Sequence, residues 1–202
     1  MKNDQEKDDH VVQTIAAYNA IAPDYKLTAT PEMRAWEENS MKRFSGYLAG
    51  KRVLVPGCGD GRDSRFLRSL GLAVSSFDLS EEMLKVAMAQ DPQGSYFRMD
   101  LRDMDQCAGP YDGIFASGCL YHLKKQEFSK CVRSCWALLS AAGVFYLNMK
   151  EGDGERFEEK PGPHYPGGVE ARERLQGKRF YAISARSYWR YSKASKFCTS
   201  KS

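Results

Sequence analysis

The chain has 202 residues, 42% hydrophobic and 28% charged, the composition of one globular domain of ordinary size. It has no apolar run near the roughly 18 residues that a membrane-spanning helix needs. The formal net charge of +4 is uneven: from Leu175 onward seven basic residues stand with no acid, so residues 1–174 carry 23 basic against 26 acidic, which argues against a basic groove for nucleic acid.

Met1–His10 is polar, lacks the apolar core of a signal peptide, and reads as disordered over residues 1–9 of a cytoplasmic protein. Residues 11–22 predict a helix bearing Val12, Ile15 and Ala16 and broken at Pro23. Pro31 after Thr30 starts a second helix, to Leu48. Strand and helix then alternate: strand 53–55, helix 63–70, strand 73–77, helix to Ala89 with Ser80 as its cap, strand 95–98, a helical turn near 101–105, strand 111–117, helix 125–140 and strand 143–149. This order predicts a mainly parallel sheet in a three-layer α/β/α arrangement. Residues 1–49 read as an N-terminal helical lid ahead of a domain spanning 50–202, and residues 151–178 as a Gly- and Pro-rich loop.

The most informative segment is Val53-Leu54-Val55-Pro56-Gly57-Cys58-Gly59-Asp60-Gly61-Arg62-Asp63. It predicts a buried strand, a glycine turn whose backbone lies close to a ligand, and a helix whose N-terminus favours anionic or polar ligand atoms. Asp78 lies 21 positions after Gly57, near the ~20-residue spacing at which an acid accepts from ribose hydroxyls. The alternative for Asp78 is an acid at a helix N-terminus. Gly57, Asp78, Asp100 and Ser117 all fall at predicted strand C-termini, where open parallel sheets bind ligands.

On Gly57-Cys58-Gly59-Asp60-Gly61, Asp78-Leu79-Ser80-Glu81-Glu82-Met83, Asp100-Leu101 and Tyr111-Asp112-Gly113-Ile114-Phe115, the chain resembles class I S-adenosylmethionine-dependent methyltransferases over roughly residues 50–150. Arg62 stands where a dinucleotide fingerprint would need a third glycine. The resemblance implies a Rossmann-like fold with S-adenosylmethionine as cofactor. It puts Gly57, Cys58, Gly59, Asp60 and Gly61 near the methionine part, Asp78 and Leu79 at the ribose, and Met83, Asp100 and Leu101 at the adenine. Ser117 lines the cofactor through its backbone. Met83 reads equally as core, and Asp100 alternatively as a turn cap. An acid usual near the first strand's end is replaced by Val55, as in thiopurine-type methyltransferases, with Asp60 or Asp63 as substitutes.

Tyr18-Asn19-Ala20-Ile21-Ala22-Pro23-Asp24-Tyr25 is similar to a segment of ubiquinone-biosynthesis-type small-molecule methyltransferases. There it forms a lid over the donor, with Tyr18 and Tyr25 toward the methionine carboxylate or sulfonium. Arg34 is a further partner for the carboxylate. His122 matches a histidine of the small-molecule branch and reads either as a base, with Tyr18 beside it in the catalytic set, or as a loop pin. The implied acceptor is a small molecule bearing an O, N or S nucleophile, with no nucleic acid or membrane partner, on a monomer or homodimer. The loop from Lys150 through Arg156 and His164 reads as substrate-binding or solvated. Alternatives are a nucleic-acid or protein methyltransferase, or a non-catalytic cofactor-binding module.

The six cysteines (58, 107, 119, 131, 135, 198) contain no Cys-x-x-Cys, and the three histidines have no metal-ligand spacing. No metal is expected and a reduced compartment fits. Cys131 and Cys135 share a helix face, as core or as a site for a thiophilic metal. The tail from residue 183 has little apolar periodicity and no acid. Read in the preceding frame, codons for residues 185–202 permit E-E-L-L-E-V-L-K-G-F-E-V-L-H-F-E-K, an apolar helix stripe, a glycine and an alternating strand. The expectation is an out-of-frame tail, which genomic DNA decides.

Overall fold

The computed structural model describes residues 5–25, 31–148 and 189–190. The loop expected over 151–178, including Arg156 and His164, lies outside them, as does the tail apart from Trp189–Arg190.

Among the described residues six strands form one sheet in the order β3-β2-β1-β4-β5-β6. They are β1 (Arg52–Pro56), β2 (Ala73–Asp78), β3 (Ser95–Arg98), β4 (Tyr111–Ser117), β5 (Leu139–Asn148) and β6 (Trp189–Arg190). The first five run parallel, and β6 pairs antiparallel with Val144 and Phe145 of β5. The helices among the described residues are α1 (Gln5–Ile21), α2 (Pro31–Tyr47), α3 (Arg62–Ser69), α4 (Glu81–Gln90) and α5 (Lys125–Leu138). Short 3₁₀ turns cover Ala22–Asp24, Leu101–Gln106 and Leu120–His122.

The period-two alternation of each strand divides the core into two halves. Val53, Val55, Phe115, Val144 and Tyr146 meet Met41 and Phe44 of α2 and Leu67 of α3 on one face. Leu54, Ile114, Ala116, Phe145 and Leu147 meet Cys131, Cys135 and Leu138 of α5 on the other. Phe115 stacks on Tyr146 at 4.1 Å between centroids, and Phe44 sits edge-on to Phe115 at 5.2 Å. A Cβ on Gly113 would meet the Phe44 ring at 2.5 Å, so α2 packs flat on the sheet because β4 has no side chain there. The three-layer expectation therefore holds.

Three boundaries differ from expectation. α1 starts at Gln5, inside the stretch expected to be disordered; once the segment from His10 is packed, each further turn needs no new nucleus. α5 stops at Leu138, and β5 starts at Leu139 rather than 143. Leu139 has extended φ/ψ and pairs with Tyr111 before a register shift to Gly113–Val144; the sheet edge outweighs the helical propensity of Ala141-Ala142. Beyond β5, β6 adds a short antiparallel strand from within the tail.

No helix among the described residues is long and apolar enough to cross a membrane. Among them no cluster of His, Cys, Asp or Glu could hold a metal. Cys131 and Cys135 are core residues, their sulfurs 3.3 and 3.7 Å from Met104 Sδ.

Candidate functional site

The crevice lies at the C-terminal ends of β1, β2 and β4. β1 ends in a turn where Gly57, Gly59 and Gly61 have φ of +59°, +53° and +74°, conformations that L side chains resist. The three glycines do different work. A Cβ on Gly57 would meet Cys119 Cβ at 2.4 Å, and one on Gly61 would meet Tyr96 Oη at 2.8 Å and Ala87 Cβ at 2.9 Å. Those two glycines allow neighbouring elements to approach. A Cβ on Gly59 would meet nothing within 4 Å, so only Gly59 turns an open backbone face outward. Packing thus accounts for glycine at 57 and 61, and an open backbone face for glycine at 59.

Asp78 ends β2, beside this open face. Its Oδ2 accepts from Gly59 N–H at 2.8 Å and its Oδ1 from Ser80 N–H at 2.9 Å. Burial pushes its carboxyl pKa up, against the lowering effect of these backbone bonds. Leu79 N–H is a third backbone donor to this carboxylate, whose roughly four acceptor sites leave capacity for a further donor. The Cys58 N–H donates to Phe77 O at 2.9 Å, tying the glycine turn to β2. Burial raises the Cys58 and Cys119 thiols well above their ordinary range, so both are neutral thiols rather than nucleophiles.

Asp60 Oδ1 accepts from Arg62 N–H at 3.2 Å, an Asx turn that starts α3. Asp63 pairs with Arg62 at 3.0 Å, and Arg62 reaches Glu37 of α2 at 3.1 Å. Asp63, one candidate to replace the acid missing at Val55, is thus held in the α2–α3 ion-pair network. Asp100 caps the 3₁₀ turn: Oδ1 accepts from Arg102 N–H at 2.8 Å, and Oδ2 takes the Arg102 guanidinium at 2.7 and 3.0 Å. Leu101 packs partly buried against the α5-side core. Met83 is 1% exposed and belongs to the interior. Leu79 O accepts from Arg98 Nε at 3.3 Å. Ser117 closes β4 in register with Asn148, and Gly118 N–H donates to Asn148 O. Arg34 lies exposed on α2.

α1 joins the two banks of the crevice. Tyr18 Oη is 3.1 Å from His122 Nε2, the two rings being edge-on at 5.5 Å, and Tyr25 lies 6.5 Å from Tyr18. The two residues expected to be catalytic are therefore in contact despite a separation of 104 positions. Sequence reasoning missed Asn19. Its Oδ1 accepts from Ser80 Oγ at 2.6 Å and lies 3.5 Å from Glu82 N. The residue stood inside the quoted lid segment, but a lone asparagine on a helix gives no sign of its partner.

A methyltransferase-domain family model matches residues 53–143. The ubiquinone biosynthesis O-methyltransferase of Bordetella pertussis (strain Tohama I) is 34% identical over 116 residues, which is 54% of this chain and 47% of that protein. Its namesake from Xanthomonas oryzae pv. oryzae (strain PXO99A) is 31% identical over 106 residues, 50% of this chain and 44% of that one. The chain spans about half the length of the curated relatives it matches. Among solved structures, the DhpI-SAM-HEP complex superposes with a TM-score of 0.60 at 23% identity, over 70% of this chain and 66% of that chain. That likeness shows the Rossmann-like fold. Over residues 53–143 the chain is thus similar to class I, S-adenosylmethionine-dependent methyltransferases.

Proposed function

We propose that this domain binds S-adenosylmethionine across the ends of β1, β2 and β4 and methylates a nucleophile on a small molecule. The observation that carries the reading is Asp78: a half-buried carboxylate, held by the Gly59 and Ser80 N–H groups on its two oxygens and by the Leu79 N–H, beside the open backbone of Gly59. A vicinal diol needs two acceptors fixed in this manner. The residues present fit the rest of the cofactor. The Gly57–Gly61 turn would take its methionine part, with Tyr18 and Tyr25 above, and Asp100 and Leu101 would border the adenine, with Met83 in the core beneath. Ser117 would contribute backbone. When bound, the cofactor supplies an activated methyl group on a sulfonium centre.

The chain itself contributes alignment, exclusion of water and proton handling. Tyr18 Oη and His122 Nε2 share a hydrogen bond at 3.1 Å. An acceptor hydroxyl that displaces the phenol would meet the same imidazole nitrogen, which then serves as general base. The relatives' printed names put an oxygen nucleophile first for screening. α1 serves as lid, whereas α2 is a structural helix of the sheet's face.

The test is incubation with S-adenosylmethionine and a panel of small hydroxylated, amine and thiol acceptors, following S-adenosylhomocysteine and methylated product by mass spectrometry. His122→Gln is expected to lower turnover about 100-fold or more with little change in cofactor affinity. Cofactor binding without turnover on any acceptor, or equal turnover in the variant, contradicts this assignment.

A further inference from the structure

We propose that Asn19 is a positioning residue: it latches α1 across the crevice and sets how long the cofactor stays bound. The inference rests on the cofactor reading above. The sheet order places β1 between β2 and β4. Asn19 is anchored just beyond β2, at the start of α4, while its neighbour Tyr18 contacts His122 beyond β4. A helix held at both points must cross over the end of β1, where the glycine turn lies.

The anchor at α4 is specific. Ser80 is fully buried and is the N-cap of α4, its Oγ accepting from Met83 N–H at 3.2 Å. The same hydroxyl donates to Asn19 Oδ1 at 2.6 Å, and the Glu82 amide faces that oxygen at 3.5 Å. Asn19 thus extends the cap of α4 from another element, meeting amides that a helix start leaves without intrahelical partners. Ser80 N–H in turn donates to Asp78 Oδ1. A single residue, Ser80, therefore holds both the lid and the acid assigned to the ribose. The lid cannot lift without removing an acceptor from the buried hydroxyl of the residue whose N–H holds Asp78.

The test uses the full chain with Asn19→Ala and Asn19→Asp. Asparagine-to-alanine removes the acceptor, whereas aspartate keeps it and suits a helix N-terminus. Stopped-flow displacement of S-adenosylhomocysteine, well below the melting temperature, is expected to give a dissociation rate about 3- to 10-fold faster for Asn19→Ala. Asn19→Asp should stay within about twofold of wild type, since its acceptor remains. A merely structural asparagine would lower the melting temperature and leave that rate unchanged. Amide exchange on the cofactor-free chain is read in parallel, with faster exchange at Glu82 and Met83 expected in Asn19→Ala alone. Unchanged dissociation in a binding-competent Asn19→Ala overturns the latch. If wild type binds no S-adenosylhomocysteine, the cofactor reading fails, and unchanged protection at Glu82 separately overturns the anchor.

Discussion

Gly59→Ala and Gly61→Ala separate a ligand-facing glycine from a packing one. Both positions have positive φ, so each alanine carries a left-handed penalty of about 1–2 kcal/mol. At 59 there is nothing more, because the new Cβ meets no atom within 4 Å. At 61 the Cβ would sit 2.8 Å from Tyr96 Oη and 2.9 Å from Ala87 Cβ. Tyr96 cannot retreat freely, since its hydroxyl donates to Asp91, which is paired with Arg68. Overpacking there adds about 1–3 kcal/mol. At roughly 2–4 °C per kcal/mol for a chain of this size, Gly59→Ala melts about 2–8 °C low and Gly61→Ala about 2–12 °C lower still. Binding reverses the order. Gly59→Ala places a methyl group in the open face and is expected to weaken S-adenosylhomocysteine about tenfold or more, the effect of roughly 1.4 kcal/mol, while folded Gly61→Ala retains affinity. Thermal scans and calorimetric titrations on both variants check this. Equal melting temperatures, or wild-type affinity in Gly59→Ala, would refute the division of labour.

Ser76 Oγ donates to Ser64 Oγ at 2.8 Å, with both residues 1% exposed, joining β2 to α3. Ser64→Ala strands a buried hydroxyl and is expected to cost about 1–3 kcal/mol in urea unfolding, whereas the double alanine variant should recover part of that. A double variant worse than the sum of the singles contradicts the pairing. The Arg68 hydrogen bond, aided by Tyr96, holds the Asp91 carboxyl below its ordinary range. Its stabilisation is fully present above the unfolded value of about 3.9 and is lost as pH falls through the lower folded value. Asp91→Asn should therefore lower the melting temperature at neutral pH and flatten its decline below about pH 4; an acid limb as steep as the wild type's would count against this.

The strands were legible because Val53–Val55 and Tyr111–Ser117 carry dense apolar runs bounded by Gly, Pro and Asp. The glycine turn and Asp78 were legible because their spacing follows from one strand–turn–helix unit. Contacts made by polar residues across long separations were not. Asn19 meets Ser80 61 positions away, and neither residue's type specifies the other. Gly61 reads as ligand-facing in the chain, yet Tyr96 and Ala87 fill the space beside it. Asp100 faces a similar ambiguity: Arg102, whose guanidinium donates twice to its Oδ2, stands two residues on, and no periodicity distinguishes a turn cap from a ligand acceptor. Pro31 after Thr30 marked where α2 starts, but only the approach of Phe44 to Gly113 shows that the helix belongs to the sheet's face.

The central claim is that Asp78 anchors a ribose beside Gly59. Calorimetric titration of wild type and Asp78→Ala with S-adenosylmethionine and S-adenosylhomocysteine tests it most directly. The account predicts saturable binding of both by wild type, lost in a folded Asp78→Ala chain. Equal binding by the two chains, or none by a folded wild type, would contradict it.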